Sequence, residues 1–342
     1  NCLLVNMVIQ QHTITTTQKY NFPHPTTDTM LPQRLTQLSL HSLKNVQNHA
    51  IQLNQQTIQQ LNNPETQMQT LQLNHKPIFL KPKREETLVA AVDTSSMKIG
   101  ETAIGILVAV RGSTVWRQNK HYHYTRLGPF IFHVTEENKH ELYNTLATAY
   151  FNTHDHVHLY PLNLVQMPTR IANLLEKWLQ RMLTKTLNNS LILFDSSLTA
   201  GTADTPTHQM KEILETARKK GNTVLAFSKM TSLRSNGYLI TDALPIHKPP
   251  YMLETTGLKP RSPIVLFGDV YVARLTHGNY SFRLDIDKET PTEQKVEAVE
   301  KLLGNDLLLQ SYPETLRLAH ILCTFTANEF IAMQHCTTHH YN

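Results

Sequence analysis

Short apolar runs alternate with helically spaced stretches along the second and larger part of the chain. Two of the runs, Leu88-Val89-Ala90-Ala91-Val92 and Leu191-Ile192-Leu193-Phe194, are each cut off by an aspartate and small hydroxylated residues: Asp93-Thr94-Ser95-Ser96 and Asp195-Ser196-Ser197. Such runs predict strands buried on both faces of a sheet. Residues 87–95, 102–111 and 114–134 predict three consecutive strands, the last broken near 124–128. Helical spacing follows over 136–151 and 167–186, then a fourth strand over 190–195. A helix over 205–220 has Pro206 in its first turn and Gly221 at its C-terminal cap. The fifth strand covers 223–227. Beyond it lie a polar segment with Pro249, Pro250, Pro260 and Pro263, strands over 263–275 and 280–286, and helices over 291–303 and 313–333.

Residues 1–84 follow a different pattern, rich in Gln, Thr and Asn and almost devoid of Gly and acidic residues. Leu31, Leu35, Leu38, Leu43, Val46, Ala50, Leu53 and Leu61 recur at helical intervals, which predicts a polar leader and then a long helix or helical hairpin over 32–73. Its apolar stripe must pack on the following domain or on a second subunit. The chain thus divides into an N-terminal helical segment, 1–84, and an α/β domain, 85–342. Three strands, helix, strand, helix, strand is the order of a ribonuclease H-like mixed sheet flanked by helices, in which the first and fourth strands are parallel neighbours.

Composition changes this picture little. The 342 residues carry a formal charge of +5, with Lys and Arg at 32 against Asp and Glu at 27. That excess permits a nucleic-acid partner without demanding one, and Lys81-Pro82-Lys83-Arg84 and Arg218-Lys219-Lys220 are its local clusters. Cys2, Cys323 and Cys336 form no disulfide framework, which points to a reducing, cytoplasmic setting. The longest apolar stretch, 103–110, is far short of a membrane span, and no basic-then-apolar leader opens the chain. No phosphate-binding glycine loop is present, so any ATP-driven motor would belong to a partner.

The chemistry lies in the two aspartates. On parallel neighbouring strands about 4.8 Å apart, Asp93 and Asp195 would share divalent metal at the sheet edge where open α/β folds place their sites. This is the core of a phosphodiester-cleaving centre. Hard cations take further oxygen or nitrogen donors. Glu176, on the helix before the fourth strand, is the candidate third acid, and Glu101 is its competitor. Near the C-terminus, Tyr312 and His320 flank a predicted helix start at Pro313 and fall on neighbouring sides of its axis. His320 would ligate metal or orient a phosphate, and Tyr312 would position water or the scissile strand. Lys229 and Arg274 are candidate phosphate contacts. His154, His156 and His158, and the tail His335-Cys336-Thr337-Thr338-His339-His340, match no structural zinc spacing and read as surface.

Taken in order, Val92-Asp93-Thr94-Ser95-Ser96, Leu193-Phe194-Asp195-Ser196-Ser197-Leu198, Phe227-Ser228-Lys229, Tyr271-Val272-Ala273-Arg274-Leu275 and Tyr312-Pro313-Glu314-Thr315-Leu316-Arg317-Leu318-Ala319-His320 resemble the archaeal NurA nucleases over about residues 85–335. The resemblance implies a homodimer with manganese-dependent 5′-to-3′ exonuclease and single-strand endonuclease activity, magnesium being the alternative ion. It also implies partnership with the hexameric HerA ATPase in resecting DNA double-strand breaks for recombination repair. It puts the metal aspartates at Asp93 and Asp195, the glutamate at Glu176, and the tyrosine and histidine at Tyr312 and His320. In a two-metal arrangement Asp93 would bridge, with Asp195 and Glu176 on either side and His320 completing the shell. The family commonly has glycine after each aspartate where this chain has Thr94 and Ser196. Were those turns to need positive φ, both would be strained, which motivates a rival reading as a catalytically weak scaffold that feeds DNA to the ATPase. Another ribonuclease H-like nuclease, such as a junction resolvase, is the third reading.

Overall fold

The computed structural model describes residues 9–13, 31–44, 72–74, 76–151, 162–231, 233–235, 238–245, 247–278 and 280–341. A mixed sheet of eleven strands runs through it. In chain order these are β1 (Ile9–Thr13), β2 (Gln72–Leu73), β3 (Ile78–Phe79), β4 (Val89–Glu101), β5 (Gly105–Gln118), β6 (His121–Thr135), β7 (Leu191–Phe194), β8 (Thr223–Ser228), β9 (Tyr251–Thr256), β10 (Gly268–Arg274) and β11 (Phe282–Asp287). Across the sheet the order is β1-β6-β5-β4-β7-β8-β11-β10-β9-β2, with β3 also paired to β9. β4, β7 and β8 are parallel neighbours, and the strands on either side of them run antiparallel. The expected ribonuclease H-like order is therefore present, with the first and fourth strands of the domain side by side.

Among the described residues seven helices cover the sheet: α1 (Leu31–Lys44), α2 (Lys139–Phe151), α3 (Met167–Thr186), α4 (Thr207–Lys219), α5 (Thr292–Asn305), α6 (Glu314–Cys323) and α7 (Ala327–Tyr341). Strand alternation assigns their layers. Ala90, Val92, Ile192 and Phe194 pack against α2, α3 and α4, while Val89, Ala91, Leu191 and Leu193 pack against α5 and α6. All four β7 side chains are buried, each stabilising by roughly 1.5–3 kcal/mol. A one-residue slip would exchange both faces, so this burial also decides which way the next residues on β4 and β7 point.

Several boundaries move from their sequence positions. β5 runs unbroken through Gly112, and the chain reverses at Asn119 and Lys120, both at positive φ (51° and 65°), the conformation of a two-residue hairpin turn. Gly112 reads as a turn but is a packing glycine: a Cβ there would stand 2.8 Å from Leu179 Cδ1 and 3.1 Å from Leu175 Cδ2 on α3. The Pro-rich polar segment conceals β9. The expected helix over 313–333 is two helices, because Thr326 and Glu329 form a reciprocal cap that starts α7 afresh: Thr326 N donates to Glu329 Oε2 (2.9 Å) and Glu329 N to Thr326 Oγ1 (3.3 Å).

The part of the N-terminal apolar stripe that lies on α1 packs against β6, with Leu35 and Leu43 buried and Ser42 Oγ accepting from His133 N at 3.0 Å. α1 ends at Lys44, and residues 72–73 are a strand on β9 rather than the end of a helix. Residues 45–71, like His154, His156 and His158, lie outside the described residues. Among the described residues no helix is long and apolar enough to cross a membrane.

Candidate metal centre where the parallel strands part

β4 and β7 pair in register with Val92 opposite Phe194, so Asp93 and Asp195 are the next residues on neighbouring strands. Each has the parity of the residues that face α5 and α6. Asp195 is the first residue beyond its strand rather than the last within it, whereas Asp93 lies inside the longer β4, opposite Ser113 of β5. The chain after Phe194 leaves the sheet while β4 continues, and the two carboxylates stand at this parting. Leu198 N donates to Asp285 Oδ2 (3.0 Å), and Arg283 grips both oxygens of that buried carboxylate at 2.7 Å, which anchors the loop behind Asp195.

α6 brings His320 in from the same face. Leu316 and Ala319 bury the helix against the sheet, and Ser113 Oγ donates to the Ala319 carbonyl. His320 Nδ1 then lies 2.7 Å from Asp93 Oδ2, a hydrogen bond that raises the imidazole above its ordinary pKa. Tyr312, on a short ladder before α6, is buried between Phe227 and Phe282. Burial, and next the charge of Asp195, push its phenol well above the usual range.

Glu176 arrives over the edge from the opposite layer. α3 lies against β4 there, with Thr94 Oγ1 donating to the Ala172 carbonyl at 3.2 Å. Gln180, one turn on, donates to Glu176 Oε1 (2.7 Å) and accepts from Lys177 (3.0 Å). Burial pushes the Glu176 carboxyl up to about 7; Lys177 opposes the rise, and Asp93 and Asp195 both add to it. Burial, reinforced by the charges of the two aspartates, thus favours a proton on Glu176.

Lys229 follows β8 and sets its ammonium 2.6 Å from Asp195 Oδ2 and 5.0 Å from the centre of the Tyr312 ring. Arg274 ends β10 on the same sheet edge, but its guanidinium closes its own turn on the Gly278 carbonyl at 3.1 and 3.0 Å. Glu101 is eight residues along β4 and pairs with Lys98, so it is no part of the centre. Thr94 and Ser196 are absent from the positive-φ residues of the described chain, and the glycines expected after the aspartates are not needed here.

The donor set fits a divalent cation. Asp93 touches His320; Asp195 and Glu176 lie near enough for their charges to act on one another, and an ammonium stands against Asp195. Among the described residues, however, no three of these carboxylates and the imidazole have ligand atoms mutually within 4.8 Å. The buried hydroxyl of Ser196 has no hydrogen-bond partner among the described residues. Cys323 is the residue that sequence patterns missed. Its Sγ, a His320 ring nitrogen and an Asp93 oxygen all lie within 4.8 Å of one another. The readable signal was its place three residues after His320 on one helix.

No protein-family model matches the chain, and no curated protein matches it in sequence. Among solved structures it is similar to the NurA nuclease from Sulfolobus solfataricus, with a TM-score of 0.45 and 14% identity over 90% of this chain and 93% of that one. It is also similar to endonuclease V from Bacillus subtilis (TM-score 0.33, 10% identity, 78% of this chain and 89% of that one). The third likeness is to the Argonaute of A. aeolicus (TM-score 0.30, 10% identity, 72% of this chain and 29% of that one).

Proposed function

We propose that the chain is a divalent-metal-dependent nuclease that hydrolyses DNA phosphodiesters. One observation carries the reading: Asp93 and Asp195 follow an in-register parallel pair, with His320 and Tyr312 on one side and Glu176 on the other. Asp93, Asp195, Glu176 and His320 would hold the cation or cation pair. A bound divalent ion supplies Lewis acidity to the scissile phosphate and lowers the pKa of water at the site. Tyr312 lines the floor beside Asp195 and orients the scissile strand. Lys229 and Arg274, on the same edge, meet the backbone phosphates.

The finer reading follows the order of motifs that resembles the NurA nucleases. It comprises manganese as the working ion, 5′-to-3′ exonuclease and single-strand endonuclease action, a cytoplasmic homodimer, and a HerA-type hexameric ATPase as partner in end resection. Thr94 and Ser196 are not at positive φ, which supports the hydrolytic reading over the scaffold one.

The test is a time course on labelled single-stranded and linear duplex DNA with manganese or magnesium. Cleavage is expected, and Asp93→Asn and Asp195→Asn each lower it by roughly a hundredfold or more with an unchanged circular dichroism spectrum. Full cleavage by either variant, or none by the parent chain with any divalent ion, overturns the proposal.

A further inference from the structure

Cys323 has no part in the hydrolysis described above, yet it is fully buried in the last turn of α6. Residues three apart on a helix share a face, so the thiol points the same way as His320. Sγ donates to the His320 carbonyl at 3.2 Å, and His320 Nδ1 is 2.7 Å from Asp93 Oδ2. The thiol, imidazole and carboxylate ligand atoms fall within 4.8 Å of one another. A tetrahedral ion with sulfur at about 2.3 Å and nitrogen and oxygen at about 2.0–2.2 Å needs donors roughly 3.3–3.7 Å apart, within small side-chain rotations of this arrangement.

We propose that Asp93, His320 and Cys323 form a zinc-class metal site that shares Asp93 with the hydrolytic centre. Thiolate and imidazole donors favour zinc and cobalt over magnesium and manganese. Three protein donors leave a fourth position for water. On binding, the thiol loses its proton to solvent and the sulfur lone pair joins the metal; no oxidation occurs. An ion held there draws Asp93 away from the hard-cation set, so zinc blocks cleavage. This last consequence, and it alone, rests on the nuclease reading.

The test is a cobalt titration of the purified full-length chain without DNA, followed by displacement with zinc. A thiolate-to-cobalt charge-transfer absorption in the near ultraviolet is expected in the parent chain and in the Cys2→Ser/Cys336→Ser double variant. It is lost in Cys323→Ser and in His320→Ala, with cobalt and zinc affinities at least about tenfold weaker. His320 is exposed, so its variant keeps the test open if Cys323→Ser fails to fold. Absence of the band in the parent chain, or its survival in Cys323→Ser or in a folded His320→Ala, overturns the proposal. A band without any manganese-dependent cleavage would instead defeat the nuclease reading and leave the zinc site standing. Cleavage without a band would do the reverse.

Discussion

Asp195 and Asp93 meet different groups of the protein itself, an ammonium and an imidazole. Lys229 is partly exposed, and such pairs contribute about 0.2–1 kcal/mol. Lys229→Met is therefore expected to tighten manganese binding by up to about fivefold, because Asp195 no longer has to release its partner, and to weaken DNA binding. Calorimetric titration of metal and of a short oligonucleotide separates the two effects. A weaker manganese affinity would show that Lys229 helps to build the site. The two aspartates were legible because each ends a wholly apolar run. Cys323 was not, since one cysteine on an apolar helix has the same pattern whether it packs or binds.

At the level of elements, α3 controls the third carboxylate, and Gly112 controls how closely α3 approaches. Gly112→Ala would push a methyl group into Leu179 and Leu175, costing about 1–3 kcal/mol and displacing Glu176. Denaturation midpoints and manganese titration of the variant are both expected to fall. α7 depends on Glu329, which pairs with Arg111 (2.8 Å) and Arg126 (2.9 Å). Partial burial opposes ionisation, but these two guanidiniums and the Thr326 N–H hold its carboxyl down to about 2. A depressed carboxylate stabilises fully above its unfolded value near 4.5, and that contribution disappears as pH falls toward 2. Glu329→Gln is thus expected to lose about 1 kcal/mol at pH 7, since the pair is partly open to solvent, and little near pH 2. Urea titrations of parent and variant at several pH values would show the two curves converging in acid; parallel curves would contradict the pairing. α3 was readable to the residue from its periodicity, with Pro168 near its start. The α6–α7 break was also written in the chain, as Thr326-Ala327-Asn328-Glu329, but the apolar pattern runs on across it. Gly112 misled because a packing glycine and a turn glycine look alike until the helix above it is placed.

On the scale of the whole molecule, the centre draws on both helical layers and on the sheet between them. Its three carboxylates repel one another, so a divalent ion that binds only the folded chain should stabilise it. At a hundredfold excess over Kd the gain is about 2.7 kcal/mol. Manganese is expected to raise the thermal midpoint, a chelator to reverse the rise, and Asp93→Asn to abolish it; equal shifts in parent and variant would place the ion elsewhere. Assembly state was not legible, since the N-terminal apolar stripe reads the same whether it packs on its own chain or on a second copy. Tyr312 and His320 have a further consequence, because they follow Asp195 by more than a hundred residues in the chain. While the polypeptide is being synthesised, Asp93, Glu176 and Asp195 leave the ribosome well before the histidine and tyrosine that complete their setting. A copy interrupted between residues 195 and 312 therefore has the acids but not the setting, and the cleavage proposed above would be withheld from it.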